Sequence, residues 1–111
     1  MAVIVAETEQ GIVGRLTIVR DASPACEHVA DVGLMVAKGH RGLGYGTALL
    51  AAAESWARAS GIRKIELHVF PHNERARLLY ERLGYIREGL RSQHFRRPEG
   101  YVDAILMAKL L

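Results

Sequence analysis

Val36-Ala37-Lys38-Gly39-His40-Arg41-Gly42-Leu43-Gly44-Tyr45-Gly46-Thr47 is the stretch whose reading decides the fold. An apolar alternation (Val32, Leu34, Val36) runs into it, and a helical spacing (Leu49, Leu50, Ala53, Trp56, Ala57) runs out. Glycine lets backbone approach a ligand with no Cβ in the way. A helix that starts there turns free N–H groups and the positive end of its dipole outward. Strand, glycine loop, helix start and Arg41 together make an anion site suited to a phosphate or pyrophosphate. Gly39, Gly42, Gly44 and Gly46 exceed what one plain turn requires, which favours a ligand over a bare connection.

The loop lacks the Gly-x-x-x-x-Gly-Lys-Ser/Thr of a P-loop. Gly42, Gly44 and Gly46 alternate with other residues, whereas a dinucleotide fingerprint needs Gly-x-Gly-x-x-Gly. Glu66 falls where that fold would hold a ribose, but the glycine spacing argues against it. What the loop does fit is Arg-x-x-Gly-x-Gly.

A chain of 111 residues is long enough for one domain with its own core. Half of it is apolar and 24% is charged, an ordinary globular balance. The net charge of +3 suits a polyanionic cofactor. Basic residues are dispersed apart from Arg91, Arg96 and Arg97, and aromatics do not alternate with them, which speaks against a nucleic-acid surface. Cys26 is the single cysteine, so no internal disulfide forms and a reducing compartment is expected. His28 lies two residues on, but nothing around Cys26 resembles a nucleophile site. His68 and His72 are separated by Pro71 in a strand-like pattern, so no helical metal pair forms and no metal is expected. No signal peptide and no apolar run of spanning length is present, so the expectation is a cytoplasmic protein with no membrane partner.

Along the chain, Ala2–Ala6 and Gly11–Val19 read as a β-hairpin around Glu9-Gln10-Gly11. Asp21–Glu27 is a turn, and His28–Val36 is the third strand. Gly44–Ser60 is a helix closed by Gly61, with Glu54 and Arg58 paired outside. Lys64–Phe70 is a strand parallel to the third, since a helix joins the two. Asn73 caps a second helix with Ala76, Leu79, Tyr80 and Leu83 on one face, closed by Gly84. Tyr85–Phe95 and Tyr101–Leu110 form a hairpin around Arg97-Pro98-Glu99-Gly100. The order β-β-β-α-β-α-β-β predicts an α+β fold: a mixed, mainly antiparallel sheet with helices on its faces.

These segments together carry a resemblance. His28-Val29-Ala30-Asp31-Val32-Gly33-Leu34 leads into the Arg41–Gly46 loop; Lys64–Val69, Asn73-Glu74-Arg75-Ala76, Leu79–Tyr85, Tyr101-Val102-Asp103 and Met107-Ala108 follow. The chain resembles the GCN5-related N-acetyltransferases (GNAT), and within them the bacterial L-amino-acid N-acetyltransferases. The resemblance implies a splayed parallel strand pair, acetyl-coenzyme A as cofactor and a small-molecule amine as acceptor. It implies that the backbone of Leu34, Met35 and Val36 meets the pantetheine arm. The N–H groups of Arg41, Gly42, Leu43, Gly44, Tyr45, Gly46 and Thr47 would meet the pyrophosphate, and Asn73 with Ala76 would add further cofactor contacts. Tyr80 matches the tyrosine that protonates the departing thiolate. For the base, His28 and Asp31 are the candidates, of which alternation lets at most one face the acceptor. Glu27 is read as a surface residue, and Asp103 as shaping the pocket.

Relatives of this kind begin with a further strand and a helical pair. The sequence therefore reads as one acetyltransferase domain, residues 1–111, short at its N-terminus, and an exposed first strand predicts a homodimer. Two other readings stay open. One is a coenzyme A-binding or regulatory module without transfer activity; the other is an acetyltransferase for polyamines or protein N-termini. A nucleic-acid-binding domain ranks behind both.

Overall fold

A computed structural model describes all residues from Met1 to Leu111. The elements are β1 (Ala2–Thr8), β2 (Gly11–Arg20), β3 (Val29–Val36), α1 (Tyr45–Ala59), β4 (Lys64–Val69), α2 (Glu74–Arg82), β5 (Ile86–Arg97) and β6 (Gly100–Leu110). The strands make one six-stranded sheet in the order β1-β2-β3-β4-β6-β5, mostly antiparallel with one parallel pair. This is the expected α+β order. The chain divides into two compact units: Met1–Ile65 with Leu110–Leu111, and Glu66–Lys109. No helix is long and apolar enough to cross a membrane.

In the first unit, β1, β2 and β3 form an antiparallel meander. Gly11 pairs with Thr8, so the hairpin loop shortens to Glu9-Gln10. A register shift between Ala6 and Glu7 leaves Val13 as an extra residue on β2, where its carbonyl accepts from Ala37 N–H at 2.8 Å. Leu16, Ile18, Ala30 and Val32 are buried on the sheet, and Leu49, Leu50, Ala53 and Ala57 on α1, which packs on all three strands. The Leu, Ile and Val side chains among them stabilise by about 1.5–3 kcal/mol each when fully buried. Gly14 permits the contact: a Cβ there would sit 2.9 Å from Leu49 Cδ1. Glu54 and Arg58 pair at 3.7 Å on the helix, an interaction worth about 0.3–0.5 kcal/mol.

One strand boundary and one burial differ from the sequence reading. His28 lies outside the third strand, in a turn that follows one turn of 3-10 helix at Pro24–Cys26. Pro24 at the start of that turn suits its fixed φ, and the strand begins at Val29. Trp56, expected in the buried stripe, is 37% exposed. It sits at the stripe's edge, where the 3.6-residue period carries it off the sheet.

In the second unit, β5 and β6 pair around Pro98-Glu99. Leu67, Val69, Tyr80, Tyr85, Ala104, Ile105, Met107 and Ala108 are buried there. β5 is not the plain strand that the sequence suggests. Arg91 faces Ala104 and Phe95 faces Val102, so Ser92, Gln93 and His94 together stand against Asp103. Gln93 adopts φ 50°, the one non-glycine residue with a left-handed backbone, and its N–H donates to Asp103 Oδ1 at 2.8 Å.

Leu50, 1% exposed, and Trp56 give opposite expectations on truncation. Leu50→Ala lowers stability by about 2–5 kcal/mol, whereas Trp56→Ala costs less than about half as much, measured by urea unfolding.

Candidate functional site

The site of the first unit is built on the turn from β3 to α1. β3 pairs with β2 through Leu34 with Leu16, Met35 with Arg15 and Val36 with Gly14. Leu34 and Val36 are half-buried and Met35 is exposed. Ala37 N–H donates to Val13, and His40 N–H to Ala37 O at 2.9 Å, closing the first bend. The chain then bends through Gly39, Gly42 and Gly44, at φ 92°, 78° and 88°. A side chain at these angles costs about 1–2 kcal/mol per residue, so the path requires glycine. Arg41 Nε donates back to Val36 O at 3.2 Å, bracing the loop and leaving its other N–H groups for a ligand.

Gly44 is the N-cap of α1, and it has no side chain to offer the first N–H groups. No acidic residue stands in the first turn. The donors at Tyr45, Gly46 and Thr47 and the positive end of the 15-residue helix therefore face outward uncompensated. A Cβ on Gly44 would meet nothing within 4 Å, so open space lies over the loop. Arg41, Gly42, Leu43, Gly44 and Thr47 are exposed, and Tyr45 and Gly46 half-buried. The residues fit an anionic group such as a pyrophosphate.

One contact had no signal in the sequence. His40 Nε2 lies 2.8 Å from Gln10 Oε1, and the His40 and Tyr45 rings are 6.2 Å apart. With Thr8 and Glu9 these residues line a cavity of about 330 Å³ beside the β1–β2 turn. The His40–Gln10 bond spans thirty positions of chain, and no local pattern encodes it. Of the two candidate bases, His28 lies in the turn before β3 and Asp31 within the strand. His28 is exposed, and its carbonyl accepts from Arg63 N–H (2.7 Å) and Lys64 N–H (3.0 Å). Asp31 is exposed on β3, opposite Val19.

The second unit carries the other expected residues. Asn73 Oδ1 accepts from Ala76 N–H at 3.2 Å, the N-cap bond anticipated from sequence. That leaves the Asn73 amide N–H groups for a ligand. Tyr80 comes seven residues later, 8% exposed, its ring 6.0 Å from Tyr85. Burial pushes the Tyr80 hydroxyl above its ordinary value of 10.0, because a phenolate loses its solvation there. It therefore keeps its proton throughout the neutral range. Sequence reasoning missed a row of rings in the same unit. His72, Phe70, Phe95, His94 and His68 form a continuous row, with Arg97 5.3 Å over Phe70. So the glycine loop assembles in one unit, and Asn73, Ala76 and Tyr80 in the other.

These features have counterparts in known proteins. Residues 1–85 match the acetyltransferase (GNAT) family. The chain is 46% identical over 83 residues to the uncharacterized N-acetyltransferase YycN of Bacillus subtilis (strain 168), covering 69% of this chain and 49% of YycN. It is 33% identical over 111 residues to the L-amino acid N-acetyltransferase AaaT of Escherichia coli (strain K12), covering 96% of this chain and 67% of AaaT. The chain thus spans half to two thirds of the length of these relatives. A crystal structure of a GNAT-family acetyltransferase from Streptococcus pneumoniae superposes with a TM-score of 0.89 at 32% identity, over 98% of this chain and 66% of the other. With the strand–glycine loop–helix turn in place and most of its length matched, the chain belongs to the GNAT acetyltransferase family.

Proposed function

We propose that this chain is an acetyl-coenzyme A-dependent N-acetyltransferase for the primary amine of a small molecule, with an L-amino acid as the acceptor. The observation that carries the reading is the uncapped N-terminus of α1 behind three left-handed glycines. Such a terminus is stabilised by a bound anion, and neither its cap residue nor its first turn supplies one. AaaT, at 33% identity, is named for L-amino acids and supports that acceptor class over polyamines or protein N-termini.

When bound, acetyl-coenzyme A supplies the thioester whose acetyl group is transferred. The N–H groups of Arg41, Gly42, Leu43, Gly44, Tyr45, Gly46 and Thr47 would hold the pyrophosphate, with the Arg41 guanidinium beside them. The Leu34, Met35 and Val36 backbone would hold the pantetheine arm, and Asn73 and Ala76 would add contacts. Tyr80 Oη is the acid: burial keeps the phenol protonated, so its O–H is present to give a proton to the sulfur as the thiolate departs.

The reading is tested by coenzyme A release with a panel of amino acids, polyamines and peptide N-termini. No release with any of them overturns it. Gly44→Val puts a branched side chain over the loop at φ 88°. Coenzyme A affinity, by calorimetry, falls on the order of tenfold or more, while stability drops by about 1–2 kcal/mol. Tyr80→Phe keeps the ring and removes the proton; turnover falls about 10²–10⁴-fold with coenzyme A binding retained.

The burial of Tyr80 also has a pH signature. In the unfolded chain the phenol ionises near 10.0, and in the folded one above that. The stability that Tyr80 contributes is therefore intact below pH 10.0 and is lost as pH rises toward the folded value. An alkaline absorbance titration of wild type against Tyr80→Phe shows one late-ionising phenol missing from the variant.

A further inference from the structure

The bulge of β5 assigns a residue that the reaction still lacks. An acceptor ammonium has no lone pair, so a base must take its proton before it can attack. β5 departs from regular pairing for three residues, Ser92, Gln93 and His94, opposite the single residue Asp103. Gln93 takes a left-handed backbone without being glycine, and the Asp103 carboxylate holds its N–H at 2.8 Å. Strain of this kind persists only where surrounding structure enforces it, and bulges re-aim side chains beside active sites. What this bulge aims is His94. Its ring stacks on His68 at 4.7 Å and 20°, and Phe95 stands edge-on to it at 5.0 Å.

Each of the other histidines lacks part of this arrangement. His28 is exposed in a turn, outside any strand. His40 is bonded through Nε2 to Gln10, with Nδ1 buried. His68 has Nε2 buried, out of reach of an incoming amine. His72 stacks on Phe70 alone, beyond the end of β4. His94 alone is exposed, held between two rings and set by a strained backbone. Imidazole is also the side chain whose ordinary titration lies nearest neutrality.

We propose that His94 is the general base of the acceptor amine, and that Asp103, through Gln93, is its positioning residue. The inference rests on the N-acetyltransferase reading and supplies the base it leaves open. In the step, one N–H bond of the ammonium breaks, its electron pair stays on nitrogen, and a His94 ring nitrogen gains the proton. The exposed ring then returns that proton to water. The titratable groups placed at His94 are His68 of β4, stacked on its ring, and Asp103 of β6, opposite the bulge; Arg97 lies over Phe70 farther along the ring row.

The test compares His94→Ala, Asp103→Asn and Asp103→Ala with wild type, using L-leucine, spermidine and a trialanine peptide as acceptors. For His94→Ala, kcat/KM at neutral pH falls about 10²–10⁴-fold. The deficit shrinks as pH rises, because a free amine no longer needs a base, and added imidazole restores part of the rate. Coenzyme A affinity and thermal midpoint stay at wild-type values. Asp103→Asn keeps a carbonyl acceptor for Gln93 and retains activity, whereas Asp103→Ala loses it with the same pH dependence. In wild type, the His94 resonance followed by NMR titrates with the pH–rate profile. Wild-type turnover with full activity in His94→Ala overturns the assignment while leaving the acetyltransferase reading intact. A pH-independent loss without imidazole rescue makes His94 merely structural and overturns it too. Wild type without turnover on any of the three amines removes both readings together.

Discussion

The chain must leave β3 and enter α1 through a turn that only left-handed backbone can trace, and the rest of the first unit depends on it. Gly39, Gly42 and Gly44 provide those angles, and Arg41 braces the path against the Val36 carbonyl. The cost is an α1 N-terminus that begins on glycine and so has no side chain to satisfy its first donors. The same turn directs Leu49 at β2, where Gly14 leaves room for it. Packing of α1 and exposure of its N-terminus are thus two outcomes of one backbone path. A helix end that is stabilised by an anion and anchored by its core face is a rigid place to hold a phosphate.

The second unit positions Tyr80 and His94 by a different means. Tyr80 is set by helix periodicity from its cap at Asn73, and burial raises its ionisation further above neutrality. His94 is set by a break in regular structure: three residues of β5 against one of β6, fastened by a carboxylate. One residue is positioned by the regularity of its element and the other by a departure from it. That contrast bears on how each could be found. Regular positions are readable from spacing, and irregular ones are not.

Much of the fold was legible. The alternation in Ile65, Leu67 and Val69, the stripe Leu49, Leu50, Ala53 and Ala57, and the stops at Gly61 and Gly84 each belong to one element, and each came out buried or capped as read. The Asn73 cap was legible because its partner, Ala76, is three residues away. Trp56 was misplaced because periodicity alone does not say how wide a stripe the sheet covers. His28 was misplaced because Pro24 starts a short helical turn ahead of β3, and the strand pattern could not register it.

The sequence by itself determined the elements, their order and the glycine loop, since helix and strand periods, caps and left-handed turns are written in neighbouring residues. Only the tertiary structure decided that His40 meets Gln10, that Gln93 is held by Asp103, and that the His94 ring lies on His68. The first joins two turns thirty positions apart, and the other two depend on how the irregular β5 is set against the rest of its unit. A shift of one residue in strand register turns side chains such as His68 to the other face, and no local pattern specifies it.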